Sequence, residues 1–158
     1  MKRSLTLTIL FFLSYHAFSQ QPLYRYYNGR QKKHYYTVNF NEYGNGGKGW
    51  ALEGPACLVY AHEDRDRGVT PFFRYYNPKN GDHFYTTRLR ELGEGDVGYN
   101  LEGPACYIYK FHAPGTVPLF RYFNQNTGDH FYTIDRNELG RGFNGYEFES
   151  VAGFVIPK

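Results

Sequence analysis

One aromatic phrase occurs three times in the chain, and this repetition constrains the fold more than any other feature. The clearest copy begins Pro71-Phe-Phe-Arg-Tyr-Tyr-Asn77 and ends Asp82-His-Phe-Tyr-Thr86. The other copies begin at Pro22 and Pro118, so successive copies start 49 and then 47 residues apart. A fixed period of this length indicates a repeat architecture in which each unit is one small group of elements.

Each repeat has the composition of short β-strands, and no segment has sustained helical periodicity. In repeat two, an aromatic run is followed by a turn that contains Pro78 and Gly81, residues that favour turn geometry. A second break at Gly103-Pro104 divides the remainder of the repeat. The sequence therefore predicts four strands in repeat two, at residues 72–76, 83–87, 99–102 and 106–109.

Twelve strands in three equivalent units predict an all-β fold, and they favour a β-trefoil of three pseudo-symmetric four-stranded repeats. The repeats cover about residues 22–61, 71–110 and 118–157 of one domain at residues 21–158. A partial β-propeller-like repeat assembly is the alternative. It is less favoured because propellers usually contain at least four blades.

The first 20 residues have the order of a secretory signal peptide. Lys2 and Arg3 precede an apolar run, and Ala17 and Ser19 supply small residues before the predicted cleavage site. The apolar run is too short to span a bilayer. We therefore expect removal of residues 1–20 and a secreted, periplasmic or cell-surface location without a membrane span.

The charge of the chain argues against a nucleic-acid partner. Without Lys2 and Arg3, 16 basic residues stand against 15 acidic ones, a net charge of +1. Binding to phosphate backbones requires a basic face, which this balance does not supply. No motif predicts a cofactor.

Two cysteines, Cys57 and Cys106, occupy the same place in repeats one and two. In an oxidising compartment they could form a disulfide, provided that the fold brings their Cα atoms within about 7 Å. The other interpretation is that both are small buried strand residues.

A buried position among aromatics is unfavourable for a charge unless the charge is paired. One arginine and one glutamate nevertheless recur at fixed places in every repeat. We therefore predict an Arg–Glu pair in each repeat, with the guanidinium stacked on tyrosine rings. The alternative is that these charges line a ligand site. The predicted pairs are Arg25 with Glu53, Arg74 with Glu102, and Arg121 with Glu149.

The hairpin turns carry the residues that best suit a ligand. An aspartate and a histidine follow the turn in repeats two and three, whereas repeat one has Lys33 before His34. These residues could form a shallow polar and aromatic pocket for a sugar, or they could simply stabilise the turns. On the first reading repeat one is degenerate and two sites remain. The candidate ligand-binding residues are Asn77, Asp82, His83, Tyr85, Asn124, Asp129, His130 and Tyr132.

Catalysis and metal binding find little support. No serine lies in a nucleophile elbow, and glutamates that recur in every repeat do not resemble a catalytic pair, which is needed once. A three-histidine metal site from His34, His83 and His130 would require hairpins that converge, and the fold class predicts that they spread apart. We predict neither an enzyme nor a metal site.

The phrase from Arg74 to Thr87, followed by Gly98-Tyr-Asn-Leu-Glu-Gly-Pro-Ala105, resembles a tandem repeat of secreted bacterial and fungal proteins. That repeat domain has no assigned function and often accompanies extracellular hydrolases. The resemblance covers residues 22–157, and repeat one departs from it at Lys32 and Lys33. It implies an extracellular accessory module with a lectin-like form. We therefore expect a carbohydrate-binding module, with a structural or protein-interaction module as the alternative.

Overall fold

The computed structural model describes residues 19–158, which form an all-β protein with three very short helices. The predicted signal peptide therefore lies outside the described residues, except for Ser19 and Gln20. The strands are β1 (Gln20–Asn28), β2 (Lys33–Thr37), β3 (Gly46–Gly47), β4 (Trp50–Tyr60), β5 (Val69–Asn77), β6 (Asp82–Thr86), β7 (Asn100–Tyr109), β8 (Val117–Asn124), β9 (Asp129–Thr133) and β10 (Tyr146–Val155). The single-turn helices are Phe40–Glu42, Leu89–Glu91 and Arg136–Leu139.

Every repeat is built on its first long strand, which lies between two antiparallel partners. In repeat one, β1 forms a hairpin with β2 and pairs along its other edge with β4. Strand β5 has the same relation to β6 and β7, and β8 has it to β9 and β10. Repeat one adds the two-residue strand β3 beside the start of β4.

The prediction of four strands in each repeat was wrong, because the third and fourth predicted strands form one continuous strand. Strand β7 passes through Gly103-Pro104 without a break. Its register against β5 shifts there, so that Arg74 pairs with Gly103 and Tyr75 pairs with Leu101, which leaves Glu102 unpaired. This is a β-bulge, in which a residue with positive φ bends a strand without ending it. Gly103 has a φ of 103°.

The bulge explains why a glutamate recurs at this position. An extra residue in a bulge is rotated out of the regular alternation of side chains, so its direction is set by the bulge. Glu53 and Glu149 occupy the same skipped positions opposite Arg25 and Arg121. The backbone therefore aims each glutamate at the arginine of the neighbouring strand.

The three repeats contact one another in two places. The last strands of the repeats, β4, β7 and β10, meet through Tyr60 opposite Tyr107 and Tyr109 opposite Phe154, and Leu58 of β4 lies opposite Ile156 just after β10. In the centre of the protein, strands β2, β6 and β9 converge through three tyrosines of the main core cluster that are no more than 1% exposed. The equivalence of these contacts gives the fold an internal threefold arrangement.

The convergent tyrosines form a closed cycle of hydrogen bonds. Tyr36 donates its hydroxyl to the carbonyl of Tyr132 at 2.9 Å and accepts the backbone N–H of Tyr132 at 2.7 Å. Tyr132 makes the same two bonds with the backbone of Tyr85, and Tyr85 makes them with the backbone of Tyr36. Burial raises the pKa of all three hydroxyls well above the usual value, so they remain neutral donors.

Both cysteines are buried in the main core cluster and are free thiols. Burial raises the pKa of Cys57 to about 12, so its thiol is protonated at neutral pH. Cys106 is likewise shifted upward by burial, with the neighbouring Cys57 adding to the rise in its pKa. These thiols behave as small core residues.

Candidate functional site

The structure brings each recurring arginine together with the glutamate of its own repeat. The Nε atoms of Arg25, Arg74 and Arg121 lie 2.8, 2.6 and 3.0 Å from the carboxylates of Glu53, Glu102 and Glu149 respectively. The Arg121 side chain is 8% exposed, the least of the three. Each arginine therefore has a charged partner on a neighbouring strand of its own repeat.

Each arginine also reaches into a neighbouring repeat, which the sequence did not predict. Arg25 of repeat one binds Glu138 of repeat three at 2.8 Å and lies over the Phe131 ring. Arg121 of repeat three makes the same contacts with Glu91 and Phe84 of repeat two.

Arg74 of repeat two differs, because it donates to the Tyr35 hydroxyl of repeat one, which in turn donates to Glu42. The arginines therefore mark three boundaries between repeats.

The two aspartates proposed as ligand contacts also lie at these boundaries, but inside the protein. Asp129 is fully buried and accepts from the backbone N–H of His34 at 2.7 Å and from its Nδ1 at 2.6 Å. Its second partner is the Tyr146 hydroxyl at 2.5 Å. Asp82 is bound in the same way by His130 and Tyr99. Neither carboxylate is accessible to a ligand at the surface.

The partners of Asp82 stabilise its charged form. Burial alone would raise this pKa, but the hydrogen bonds and charge of His130, together with the bond from Tyr99, lower it below the usual value. The pKa of Tyr99 is raised in turn, by burial and by the adjacent carboxylate. The arrangement is a charged aspartate held by two fixed donors.

Most of the other predicted ligand-binding residues are also parts of the scaffold. Tyr85 and Tyr132 belong to the central cycle. Asn77 and Asn124 are buried and accept backbone N–H groups of the hairpin turns through their side chains. His130 is 6% exposed and is bound to Asp82. Burial and internal hydrogen bonds therefore leave His83 as the predicted contact with the greatest capacity to bind a ligand.

Repeat one breaks the Asp–His–Tyr pattern at two positions. Lys33 stands where the other repeats have aspartate, and Trp50 stands where they have tyrosine. The Lys33 side chain is buried and donates to the carbonyls of Thr127 and Gly128 at 2.5 and 2.7 Å. At the boundary between repeats one and two, Lys33 takes the position of the aspartate, so His83 has no aspartate partner there.

His83 is electrostatically distinct as a result. Its Nδ1 is buried and has no hydrogen-bond partner within residues 19–158. Burial lowers the pKa of His83 to about 4, and the positive charges of Arg74 and Lys33 add to this effect. The imidazole is therefore neutral at physiological pH, and it contains an unsatisfied polar atom of a kind that native proteins rarely leave.

A cleft of about 320 Å³ lies at the boundary between repeats one and two, and we call it the first cleft. Four aromatic side chains and several polar ones line it. They are Gln31, Tyr35, Glu42, Tyr43, Trp50, Arg74, Tyr76, Gly81, His83 and Glu102.

A second cleft of about 470 Å³ occupies the equivalent boundary between repeats three and one. Tyr27, Lys32, His34, Phe131, Leu139 and Tyr146 line it at positions equivalent to Tyr76, Gly81, His83, Tyr35, Tyr43 and Trp50 of the first cleft.

The first cleft combines stacking surfaces with hydrogen-bonding groups, which is the composition of a small-molecule binding site. Trp50 packs against Tyr35 and Tyr43 with ring centroids 5.6 and 5.7 Å apart. Carboxylates at its edge can accept hydrogen bonds, and Gln31 can both donate and accept them. Sequence reasoning missed Trp50, Tyr35 and Tyr43, although Trp50 is the only tryptophan in the chain.

No group of three or more His, Cys, Asp or Glu residues in the described part of the chain could hold a metal ion. His34, His83 and His130 lie at three separate boundaries. None of the helices between residues 19 and 158 is long and apolar enough to cross a membrane.

Residues 22–156 match a family described as a domain of unknown function (DUF5648), and a further match to it covers residues 10–60. The longer match spans most of the chain, so the protein belongs to this family. An uncharacterised domain is what the repeat phrase implied. Comparison with curated proteins and with solved structures gave no match.

Proposed function

We propose that the protein is an exported, non-catalytic carbohydrate-binding module. The observation that carries this proposal is the first cleft, in which Trp50 and three tyrosines share a cavity with Arg74, His83 and two glutamates. Sugars have both an apolar C–H face and a ring of hydroxyl groups. A site that binds them therefore needs aromatic faces and polar groups side by side, and this cleft supplies both.

The threefold repetition supports a binding role over a catalytic one. Glu102 is held by Arg74, and its equivalents are held by arginine in the same way, so the pairing serves all three repeats. A glycosidase needs one pair of carboxylates across one scissile bond. We therefore assign the recurring glutamates to the scaffold and to the edges of the clefts.

We also propose the β-trefoil as the class of fold. The internal threefold arrangement supports it, and so do the register shifts that divide each long strand into two pairing segments. In repeat one the residues up to Leu23 pair with the end of β4, whereas those from Tyr24 pair with both β2 and the start of β4. The number of strands differs from the predicted form, because repeats two and three have three strands each and repeat one has four only through the two-residue strand β3.

A glycan array tests the proposed function. The purified protein is applied beside Trp50→Ala, which removes the largest ring of the first cleft, and Phe111→Ala as a matched control. Phe111 is 72% exposed and lies outside both clefts. We expect a related set of glycans to bind the wild-type protein and Phe111→Ala but not Trp50→Ala. No binding to a broad array would overturn the proposal.

A second candidate function is protein interaction, and one surface favours it. Phe111 and Lys110 border a small cavity of about 230 Å³ together with Glu63 and Arg65 of the charged loop between repeats one and two. An exposed aromatic beside charges of both signs has the character of an interface anchor. A purified protein partner whose binding is lost in Phe111→Ala and kept in Trp50→Ala would establish this function instead.

A further inference from the structure

We propose that each chain binds one neutral sugar residue, and that it does so in the first cleft with the sugar ring against Trp50. This inference rests on the proposed carbohydrate-binding function and makes it more specific. It reverses the expectation that the departures in repeat one destroy a site. The two departures, Lys33 and Trp50, are what distinguish the first cleft from the other boundaries.

At each of the other two boundaries, the Nδ1 atom of the histidine already has a carboxylate partner. His34 places Nδ1 2.6 Å from Asp129 and Nε2 3.6 Å from Glu53. His130 is placed in the same way between Asp82 and Glu149, at 2.6 and 3.5 Å. The protein itself therefore satisfies Nδ1 and fixes the ring of both histidines.

The first cleft has the opposite character. His83 keeps a buried, unpartnered Nδ1 because Lys33 replaces the aspartate that would bind it. A buried polar atom without a partner destabilises a protein, so His83 is the least satisfied of the three histidines. No aspartate fixes its ring, which lines the first cleft, whereas Asp129 and Asp82 fix the rings of His34 and His130.

The aromatic surface also differs among the boundaries. The first cleft presents Trp50, Tyr43 and Tyr35, and the second presents Tyr146, Leu139 and Phe131 at the equivalent positions. In the second cleft, the Tyr146 hydroxyl donates to a buried aspartate, which fixes the ring. Trp50 occupies the equivalent position in the first cleft and has no such bond to any described residue. A larger ring that no aspartate fixes gives the first cleft the better stacking surface.

The charges of the first cleft select a neutral sugar. Arg74 is its only cationic lining residue among those described, and its guanidinium is already bound by Glu102 and Tyr35. His83 is uncharged at physiological pH, whereas Glu42 and Glu102 both line the cleft. A ligand carboxylate would meet these two glutamates without a free cation, so acidic sugars are disfavoured.

Trp50 supplies a direct test, because the single tryptophan of the chain lies in this cleft. Its emission is followed while the purified protein is titrated with the methyl glycosides of glucose, mannose, galactose and N-acetylglucosamine. Glucuronic acid and N-acetylneuraminic acid are the acidic comparisons. We expect at least one neutral glycoside to change the emission, and calorimetry with it to give one site per chain. The acidic sugars should have no effect.

Two variants separate the cleft from the scaffold. Trp50→Tyr restores the residue of the other boundaries, and combining it with Lys33→Asp restores the whole Asp–His–Tyr arrangement. By calorimetry we expect binding of the same glycoside to weaken by about tenfold or more in each. Trp50→Tyr is informative by itself if the double variant does not fold. Tyr146→Phe, in the second cleft, should leave the affinity within about twofold.

The outcomes distinguish this inference from the proposed function. Neutral glycosides that bind by calorimetry without a change in Trp50 emission, or with two or three sites per chain, would overturn the inference and leave a carbohydrate-binding module. Binding of the acidic sugars alone would overturn it as well. Failure of every sugar in calorimetry and on the array would overturn both.

Discussion

Tyr85 and the backbone of Tyr36 exchange two hydrogen bonds in the centre of the protein. The Tyr85 hydroxyl accepts from the Tyr36 N–H and donates to the Tyr36 carbonyl, each at 2.9 Å. The hydroxyl thus satisfies both polar groups of a backbone unit that belongs to another repeat. Because the same exchange closes around all three repeats, each hydroxyl joins one repeat to the next.

Removal of this hydroxyl should destabilise the fold. In Tyr85→Phe the ring remains but a buried N–H and a buried carbonyl lose their partner, which costs about 2–3 kcal/mol of unfolding free energy. Denaturant unfolding of the variant measures the loss. Tyr24→Phe is the matched control, because Tyr24 is partly exposed and packs on Phe40. Equal stability of the two variants would contradict the role of the cycle.

Arg121 should be the most important of the recurring arginines for stability. Arg121→Ala leaves Glu91 and Glu149 without the cation that binds both, and it removes a stacking partner of Phe84. We expect the unfolding free energy to fall by about 3 kcal/mol. This is near the lower end of the range for breaking a buried ion pair, because both glutamates are about one-third exposed. Arg65→Ala, at an 85% exposed side chain, should change stability by less than about 1 kcal/mol. A melting temperature unchanged by Arg121→Ala would contradict the assignment.

Asp129 should behave as a core residue and not as a ligand contact. Asp129→Ala removes the acceptor of the His34 backbone N–H, the His34 ring and the Tyr146 hydroxyl. Two buried donors of His34 and the half-buried Tyr146 hydroxyl would lose their partner, which should lower the unfolding free energy by about 3 kcal/mol. Calorimetric unfolding beside Asp66→Ala, an exposed aspartate, checks this. A fully stable Asp129→Ala variant would return Asp129 to the candidate ligand contacts.

The neutral His83 should make stability depend on pH. Its pKa is lowered to about 4 in the folded protein, from an unfolded value near 6.5. The unfolded state therefore binds more protons between these values, and stability falls as the pH decreases from about 6.5 to about 4. The shift corresponds to about 3 kcal/mol.

The variant His83→Gln isolates this contribution to the pH dependence. Unfolding in denaturant at pH 7 and at pH 4 is measured for both proteins. The wild-type protein should lose more stability than the variant over this interval. The same loss in both would show that His83 titrates normally in the folded state.

The repeats, the all-β class and the glutamate partner of each arginine could be predicted from the sequence, because these features follow from spacing within a repeat. The unbroken third strand was missed because a Gly-Pro pair is read as a break, whereas here Gly103 allows a bulge. Local patterns also contain no information about which repeat faces which. The contact of His34 with Asp129 joins positions 95 residues apart, so the buried role of the aspartates could not be deduced.

The candidate site was missed for the same reason. The departure at Lys33 was visible in the sequence, and it was interpreted as degeneration of repeat one. Its consequence falls on His83 of repeat two, which loses a partner across a boundary that only the folded structure defines. Trp50 carried a signal as the sole tryptophan, but the chain has 17 tyrosines and 14 phenylalanines, among which one more aromatic residue did not stand out.

Nuclear magnetic resonance of the ¹⁵N-labelled protein tests the central claim most directly. The amide and indole N–H signals are recorded while a mixture of neutral methyl glycosides is added. The account predicts that the Trp50 indole signal moves together with the amide signals of Tyr35 and His83, while those around Tyr146 stay in place. Shifts confined to the surface around Phe111, or no shift at saturating sugar, would contradict it.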